Sequence, residues 1–514
     1  MPKETAQARA VRSFFAGGIS QAGAVAICRG LSCELNGAAA LQERLAATGP
    51  TVRVDCFGLC DHSPALRTRE GEVLSGAAAL AFAGCAASTR FDEPAGIRCL
   101  ARRPIVTERI MRGSHHDLAV ARRAGVYSAL AKALQAAPGS VLAMIERSGE
   151  QGRGGAGYPT AAKWRACLAA ADPRRFVVAN GDEGDAGSFI DRVLLEEDPH
   201  AVLEGMALSA LAVGASEGVV FIRAEYPRAQ ARMNRAIAEA REAGLLGPAV
   251  LGHGFAFDVR VVGGHGSYVC GEETALLNAI ENKRGEVRVR PPYPTQAGLY
   301  GQPTVVNNIE TLVNVPWIVR EGPEAYRSLG VAAAPGTKAF CLARGFARPG
   351  IVEAEFGLEL RGLIEQHAGG GRNGQPLAAV ALGGPMGSIL TPAEWDVPLE
   401  PAALGQRGIR LGHAGLVPIP EAADLRALLL NWAQFMALES CGKCVPCSLG
   451  SRRAVELVGR IDQGNHDEWQ REFTQLLATI EGTSLCGFGQ GLPQPLLKLA
   501  TLARAQVAGG QLHG

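Results

Sequence analysis

The sequence predicts an α/β protein that ends in a helical bundle, and three observations support this. From about residue 115 to 335, helical and extended patterns alternate, as they do in domains with a largely parallel sheet. From about residue 421 onward, apolar residues recur at helical spacing. The 65 glycines indicate many tight turns and close backbone approaches. A chain of 514 residues is long enough for three or four domains of roughly 100–200 residues each.

These patterns divide the chain into four regions. Residues 1–110 hold two strand-like runs that lead into cysteine loops, and a basic link closes the region. Residues 111–335 form the α/β domain, in which RRFVVANGDEG, GVVFIRAEY and FDVRVVGG predict strands and AVARRAGVYSALAKALQ predicts a helix. Residues 336–420 are glycine-rich with short apolar runs, which predicts a small α+β insert. Residues 421–514 form the predicted helical bundle.

The composition excludes several classes of function. A formal net charge of +1 provides no field to attract a polyanion, so we expect no nucleic-acid partner. No apolar run reaches the roughly 18–20 residues that a membrane span needs. The N-terminal residues lack the apolar core of a secretory signal, which predicts a cytoplasmic protein. In that compartment the 13 cysteines, an odd and clustered set, are reduced thiols available as metal ligands.

The C-terminal cysteines have the spacing of an iron–sulfur site. Cys441, Cys444 and Cys447 form C-x-x-C-x-x-C, and Cys486 lies further along the chain. Four thiolates are what a [4Fe–4S] cluster needs, one for each iron. Structural zinc is the alternative, although zinc sites more often use two separate C-x-x-C pairs.

The N-terminal cysteines form two looser pairs. Cys28 and Cys33 follow one strand-like run, and Cys56 and Cys60 follow the next. Four thiolates on two adjacent loops suit a [2Fe–2S] cluster. Zinc binding or plain burial of the thiols remains open from the spacing alone.

A glycine-rich loop precedes a predicted helix in the α/β domain. Gly152, Gly154 and Gly157 match G-x-G-x-x-G, but the preceding segment is helical rather than extended, so the Rossmann context is missing. Backbone N–H groups at the start of the next helix, with Lys163, would suit a phosphate. A tight turn before a surface helix is the alternative.

An acidic loop follows the most apolar predicted strand. It carries Asn180, Asp182, Glu183, Asp185 and Asp191. Ligands of open α/β sheets lie beyond the carboxyl ends of strands, which favours a binding role over a solvated turn.

Two further segments carry polar groups. Glu272 and Glu273 stand at a predicted helix start, where glutamates often only complement the helix dipole. Tyr293, Asn307 and Asn308 follow, and such amides either contact a ring or ribose edge or cap turns.

Together and in this order, these motifs resemble one family. GRGGAGYPTAAKW, NGDEGDAGS, YVCGEETALL, RPPYP, GQPTVVNNIETL and ESCGKCVPCSLG with SLCGFGQG are similar to the flavin-carrying, NADH-oxidising subunit of respiratory complex I. Its relatives include the diaphorase subunit of NAD-reducing hydrogenases and the beta subunit of NAD-dependent formate dehydrogenases. The resemblance covers roughly residues 115–500. It implies a Rossmann-like FMN/NAD-binding domain, a ubiquitin-like α+β insert and a helical bundle with a [4Fe–4S] cluster.

The resemblance also implies binding residues. FMN would be held by Gly152, Arg153, Gly154, Gly155, Gly157, Lys163, Asn180, Asp182, Gly271, Glu272, Asn307 and Asn308. NAD(H) would stack over the flavin and contact Tyr158, Glu183, Asp185, Glu273 and Tyr293. Cys441, Cys444, Cys447 and Cys486 would hold the [4Fe–4S] cluster. No general acid or base is assigned, because the cofactors carry the chemistry.

The N-terminal region is similar to the thioredoxin-like [2Fe–2S] ferredoxin that is a separate subunit in complex I. Here it is fused, and all four ligands, Cys28, Cys33, Cys56 and Cys60, are present. The fusion, and Asp185 where the family often has Glu, make the chain look most like a formate dehydrogenase beta subunit. Its partners would then be iron–sulfur subunits and a large molybdenum- or tungsten-containing alpha subunit.

Two alternatives stay open. Within the same class, the chain is a hydrogenase diaphorase subunit or the complex I subunit itself. From a different class, it is a zinc-stabilised binding scaffold without flavin.

Overall fold

The computed structural model describes residues 23–84, 96–461 and 466–510. Four sheets lie in this part of the chain, and the helices pack around them or form a bundle at the C-terminus. Short 3₁₀ helices span Cys60–His62, Ile110–Arg112, Val250–Gly252, Tyr268–Gly271, Leu299–Gly301, Arg372–Gly374 and Pro392–Glu394, and a π-helix spans Leu363–His367. The mixed α/β fold class is confirmed.

The N-terminal region contains a small mixed sheet. Its strands are β1 (Val25–Cys28), β2 (Thr51–Val54), β3 (Ala65–Arg67) and β4 (Val73–Ser75), and its helices are α1 (Leu31–Leu35), α2 (Ala38–Ala46) and α3 (Gly76–Phe82). The order is β2-β1-β3-β4, with β1 and β2 parallel and the other pairs antiparallel. Both predicted strands therefore end in cysteine loops at the same edge, because parallel strands end together. The thioredoxin-like assignment stays a prediction.

The predicted basic link contains a strand. Strand β5 (Gly96–Cys99) pairs in parallel with a strand of the insert rather than with the N-terminal sheet. Arg98 fixes it there, since its guanidinium donates to the carbonyl oxygens of His367 and Arg348. Strand β5 thus belongs to the sheet of the insert, although it precedes the central domain in the chain.

The central domain is built on a parallel sheet. Its strands are β6 (Phe176–Gly181), β7 (Glu217–Ile222), β8 (Asp258–Gly263) and β9 (Thr304–Asn308), in the order β8-β7-β6-β9. Strand β6 is buried along most of its length, as expected for a strand covered on both faces. The helices are α4 (Leu118–Arg123), α5 (Ser128–Leu134), α6 (Ser140–Ser148), α7 (Thr160–Leu168), α8 (Ile190–Glu197), α9 (Pro199–Val213), α10 (Pro227–Glu242), α11 (Glu273–Ile280), α12 (Pro294–Ala297), α13 (Ile309–Glu321) and α14 (Pro323–Arg327).

One helix prediction in this domain was wrong. The segment AVARRAGVYSALAKALQ forms two helices, α4 and α5, instead of one. Gly125 and Tyr127 both have positive φ, at 86° and 72°, and so end the first helix. The break between the two helices places the buried Tyr127 hydroxyl 3.0 Å from His200 Nδ1, a contact that helical periodicity does not reveal.

The insert is a second sheet with its own apolar core. Strands β12 (Thr337–Leu342), β13 (Gly350–Glu355), β14 (Leu377–Leu382), β15 (Ser388–Leu390) and β16 (Gly415–Pro420) join β5 in the order β15-β14-β16-β12-β13-β5. A two-stranded hairpin, β10 (Gly330–Val331) and β11 (Ala334–Pro335), precedes it, and helices α15 (Leu360–Gly362) and α16 (Pro401–Gln406) accompany it. The predicted α+β character is observed, and the ubiquitin-like assignment stays a prediction.

The C-terminal region is helical, as predicted. It consists of α17 (Leu425–Glu439), α18 (Val445–Gly459), α19 (His466–Thr483), α20 (Gly487–Gly491) and α21 (Pro493–Gly510). Among the described residues, no helix is long and apolar enough to cross a membrane.

Candidate functional site

A cavity of about 200 Å³ lies beyond the carboxyl ends of β6 and β9. This is where ligands of open parallel sheets bind. Six of the predicted FMN residues line it, namely Gly154, Asn180, Asp182, Gly271, Glu272 and Asn308. Glu183 and Asp185, predicted to contact NAD(H), line it too. The fold thus brings residues from four separate motifs to one wall.

Asp182 presents an unsatisfied acceptor at this cavity. The Asn180 amide donates to the Gly271 carbonyl oxygen (2.9 Å) and accepts from the Asp182 N–H (3.1 Å), which fixes the loop. The Oδ2 atom of Asp182 is buried and has no hydrogen-bond partner. Burial raises the pKa of Asp182 to about 8, against the lowering effect of Arg223. A buried polar atom without a partner is costly, so a ligand hydroxyl or N–H at this point would be stabilising.

Gly271 and Glu272 line the same cavity. A Cβ on Gly271 would lie 3.2 Å from the Asp182 carbonyl oxygen, so a side chain there would fill the space between the two loops. Glu272 is the N-cap of α11, where its carboxylate accepts from the N–H groups of Thr274 (2.9 Å) and Ala275 (3.0 Å). One of its two oxygens is thus committed to the helix.

The glycine-rich loop separates this cavity from a second one of about 500 Å³. Gly155 and Gly157 have positive φ values of 115° and 62°, which favour glycine. A Cβ on Gly154 would stand 3.0 Å from the Asn308 Cβ, so the loop packs closely against the end of β9. The Arg153 guanidinium is buried against the Glu150 carboxylate. Arg153 therefore contributes to the surface of the loop only through its backbone. Gly152 closes the loop by donating to the Tyr158 carbonyl oxygen (2.9 Å).

Two of the three acidic residues predicted to bind NAD(H), Glu183 and Asp185, make contacts with the protein. Both oxygens of Glu183 accept backbone N–H groups at the start of α8, from Asp191 (3.1 Å) and Arg192 (3.0 Å). Burial raises the pKa of Glu183 to about 7, and the Asp191 charge adds to the effect. Asp185 accepts from the Tyr268 hydroxyl. Their direct role toward a nucleotide stays a prediction.

Five predicted residues line neither of these two cavities, namely Tyr158, Lys163, Glu273, Tyr293 and Asn307. Lys163 donates to Glu273 (3.2 Å), and Arg290 pairs with the same carboxylate (3.3 Å). Tyr158 and Tyr293 are 54% and 53% exposed, as rings free to stack on a ligand would be. Asn307 is buried, and its side-chain oxygen accepts from the Trp164 indole (2.9 Å). The structure therefore gives Asn307 a packing contact in addition to any contact with a ligand.

Sequence reasoning missed several residues of the cavity wall, among them His413, Tyr268 and Phe488. His413 reaches it from the insert, and its Nε2 lies 3.1 Å from Asp191 Oδ2. Tyr268 and Phe488 form an aromatic cluster with Phe435 between the cavity and the C-terminal cysteines. A lone histidine between glycines, in LGHAGLV, was the one available signal for His413.

The structure brings the four C-terminal cysteines together. Cys441, Cys444 and Cys447 lie where α17 turns into α18, and Cys486 is the N-cap of α20. Burial raises the pKa of Cys447 to about 12, and the other three thiols add to this effect because they are its neighbours. The Ser440 hydroxyl lies 3.2 Å from Cys447 Sγ. Such a buried four-sulfur set fits a cluster or a metal ion.

The four N-terminal cysteines also converge. Cys56 and Cys60 have their sulfur atoms 3.5 Å apart, and Cys28 contacts both Cys33 and Cys56. Backbone N–H groups of Gly58 and Gly187 donate to the sulfurs of Cys56 and Cys60, each at 3.2 Å. N–H donors to sulfur are the contacts that stabilise thiolates and clusters.

Comparison with known proteins assigns this arrangement to a family. The Nuo51 FMN-binding domain matches residues 145–317, and the iron-sulfur binding region of NADH-ubiquinone oxidoreductase F matches residues 427–508. The F 2 subunit of NADH-quinone oxidoreductase from Rhizobium meliloti is 40% identical over 76% of this chain and 93% of its own length. The chain belongs to the family of NADH-quinone oxidoreductase F subunits.

Another relative and one solved structure extend the likeness. The NADP-reducing hydrogenase subunit HndC of Solidesulfovibrio fructosivorans is 41% identical over 72% of this chain and 76% of that protein. A crystal structure of an NAD⁺-reducing [NiFe]-hydrogenase in the H₂-reduced state superposes with a TM-score of 0.81 at 29% identity. It covers 97% of this chain and 86% of that one.

These matches confirm the family resemblance, the FMN and the [4Fe–4S] cluster, with NAD(H) as the consistent substrate. The chain is an oxidoreductase of the F-subunit type, and its relatives are subunits of larger complexes. The [4Fe–4S] match at the C-terminal cysteines supports the cluster over the zinc-scaffold alternative.

Proposed function

We propose that this chain exchanges electrons between NAD(H), FMN and two iron–sulfur clusters, and passes them to or from partner subunits. The observation that carries the proposal is the cavity at the ends of β6 and β9 with the unpartnered Asp182 carboxylate. The cavity lies between two converged cysteine sets, one next to the acidic loop through Gly187 and one next to Phe488. The bound FMN would accept electrons in pairs and release them singly, which NADH cannot do.

The residues would divide the work as follows. Asn180 holds the Gly271 loop, and Asp182 Oδ2 would accept a hydrogen bond from a hydroxyl of the bound flavin. The backbone of the glycine-rich loop would hold the phosphate, and Lys163 would supply a positive charge. Tyr158 and Tyr293 would stack on the nucleotide, and Glu273, paired with Arg290, would orient it. Glu183 acts mainly by holding the start of α8 beneath the cavity.

We also propose a [2Fe–2S] cluster on Cys28, Cys33, Cys56 and Cys60. Their buried, mutually contacting sulfurs and the two N–H donors support it. The thioredoxin-like ferredoxin assignment of this region rests on the same four residues and on the sheet order β2-β1-β3-β4.

Cofactor analysis of anaerobically purified protein tests both clusters. We expect one FMN and roughly six irons per chain, four from one cluster and two from the other. Roughly four irons would leave the N-terminal proposal without support. Zinc with no flavin would overturn the electron-transfer function.

Substitution of Asn180 by Asp tests the flavin site. An aspartate would put a carboxylate against the Gly271 carbonyl oxygen, because the donating amide is lost. We expect FMN to be lost on gel filtration. Asn234→Asp is the matched control, since the Asn234 amide also donates to a backbone carbonyl oxygen, that of Gln230, but on an exposed face of α10. Equal FMN content in both variants would contradict the assignment of Asn180.

For the partner, we propose the large subunit of a formate dehydrogenase that contains molybdenum or tungsten. Asp185 and the fused N-terminal region support this choice. A hydrogenase large subunit is the second candidate, because a chain of an NAD⁺-reducing [NiFe]-hydrogenase aligns with 97% of this chain, the N-terminal region included. Metal analysis of the purified complex decides between them. Molybdenum or tungsten with formate-dependent NAD⁺ reduction supports the first, whereas nickel supports the second. The cytoplasmic location stays a prediction.

A further inference from the structure

His413 brings a group from the insert into the wall of the flavin cavity. It stands in the loop between α16 and β16, where Gly412 and Ala414 both have positive φ values, 52° and 63°. Gly155 of the glycine-rich loop packs closely on Gly412: a Cβ added to Gly155 would lie 3.3 Å from the carbonyl carbon of Gly412. The strained loop is therefore pressed against the central domain, and the imidazole is only 6% exposed.

Both ring nitrogens of His413 face acceptors. Nε2 lies 3.1 Å from Asp191 Oδ2, and Nδ1 contacts the Ser188 hydroxyl and lies 3.9 Å from Glu183 Oε1. Burial by itself lowers the pKa of His413, but the Asp191 carboxylate and its hydrogen bond raise it to about 9. Asp185 and Lys338 are the other charged groups that act on the ring. Nε2 also lies 3.2 Å from the Asn308 amide nitrogen, and the Asp191 carboxylate favours the imidazolium form of the ring.

Asp191 links this cation to the flavin wall. Its carboxylate accepts from the Asn308 amide as well as from His413, and Oδ1 accepts from the Glu310 N–H (3.3 Å). Asn308 is in turn the N-cap of α13 and lines the cavity. The imidazolium therefore neutralises the carboxylate that orients Asn308.

We propose that His413 is a positioning residue whose positive charge offsets the Asp191 carboxylate in the cavity wall and thereby favours reduced over oxidised flavin. The proposal rests on the placement of FMN in this cavity under the proposed function. Hydride transfer from NADH yields NAD⁺ and moves two electrons and one proton onto FMN, which then carries one more negative charge. A cation in a water-poor wall stabilises that charge, and its removal leaves Asp191 without a counter-charge.

The test compares His413→Gln with the wild-type complex, both loaded with FMN. Under anaerobic conditions and at a fixed NADH/NAD⁺ ratio, the flavin absorbance reports the ratio of reduced to oxidised FMN. We expect this ratio to fall about tenfold in the glutamine variant, which equals a potential about 30 mV lower for a two-electron couple. Ser188→Ala is the control, because it removes a contact of the same ring without removing the charge, and its ratio should stay at the wild-type value.

An unchanged ratio in an FMN-loaded His413→Gln variant would overturn the inference. Where the glutamine variant releases FMN, His413→Lys serves instead: a wild-type ratio in the lysine variant supports the role of the charge, and a ratio lowered as far as expected for glutamine contradicts it. Wild-type protein that binds no FMN would overturn the proposed function itself. The two failures are therefore distinguishable.

Discussion

At the scale of single residues, Gly184 shows how little space the cavity wall allows. A Cβ on Gly184 would lie 2.6 Å from Cδ2 of Tyr268, whose hydroxyl donates to Asp185. We expect Gly184→Ala to displace the ring, destabilise the protein by about 1–3 kcal/mol and weaken FMN binding. Thermal unfolding and fluorescence titration with FMN measure both effects. Gly254→Ala is the control, because no atom lies within 4 Å of its added Cβ; equal losses in both variants would refute the clash.

His413 also predicts a pH dependence of stability. Its folded-state pKa of about 9 exceeds the unfolded value near 6.5, so its stabilisation is complete below pH about 6.5 and is lost as the pH rises to about 9. The loss corresponds to about 3 kcal/mol. Glu183 and Asp182, with raised pKa values of about 7 and 8, add a decline that begins at lower pH.

The difference between wild type and His413→Gln isolates the histidine. Denaturant unfolding at pH 6.5 and pH 9 should show a gap between the two proteins that narrows at the higher pH. A gap that is constant with pH would mean that the ring is neutral throughout.

At the scale of elements, the four C-terminal cysteines lie in the segments that connect the helices of the bundle. Cys441 to Cys447 join α17 to α18, and Cys486 begins α20. We expect Cys441→Ser to lose about four irons per chain and to stop electron transfer to a partner. FMN should be retained, because most residues that line the proposed FMN cavity belong to the central domain. Iron and flavin analysis measures this, with Cys99→Ser as the control at a half-buried thiol in β5. Full iron content in the Cys441 variant would contradict the ligand assignment.

The strands and helices also show which sequence patterns predict secondary structure correctly. Continuous apolar runs located β6 and β7, because strands covered on both faces carry apolar residues along most of their length. The break between α4 and α5 was missed, since it depends on the burial of Tyr127 against His200. Strand β5 was missed because its partner, β13, lies far along the chain.

At the scale of the whole molecule, Arg223 ties the N-terminal region to the flavin domain. Its buried guanidinium donates to the carbonyl oxygens of Cys56 (2.9 Å) and Glu183 and pairs with Glu225 (3.0 Å). Arg223→Met would leave the Glu225 charge buried and unpaired, which costs about 3–5 kcal/mol. We expect a lower unfolding midpoint and faster proteolysis of the N-terminal region. Arg241→Met, at an exposed ion pair with Asp258, is the control; the same midpoint in both variants would refute the anchoring role.

The sequence by itself determined the family, the parallel sheet and the two cysteine sets. It also identified Asn180, Asp182 and Gly271, which the structure places at one cavity. Each of these features is marked by a short run of neighbouring residues. Only the tertiary structure decided that Glu183 caps a helix, that the Arg153 side chain is buried, and that His413 from the insert reaches Asp191. Those contacts join segments that are distant in the chain. They depend on how separate apolar cores pack against one another, and no local pattern of residues encodes that geometry.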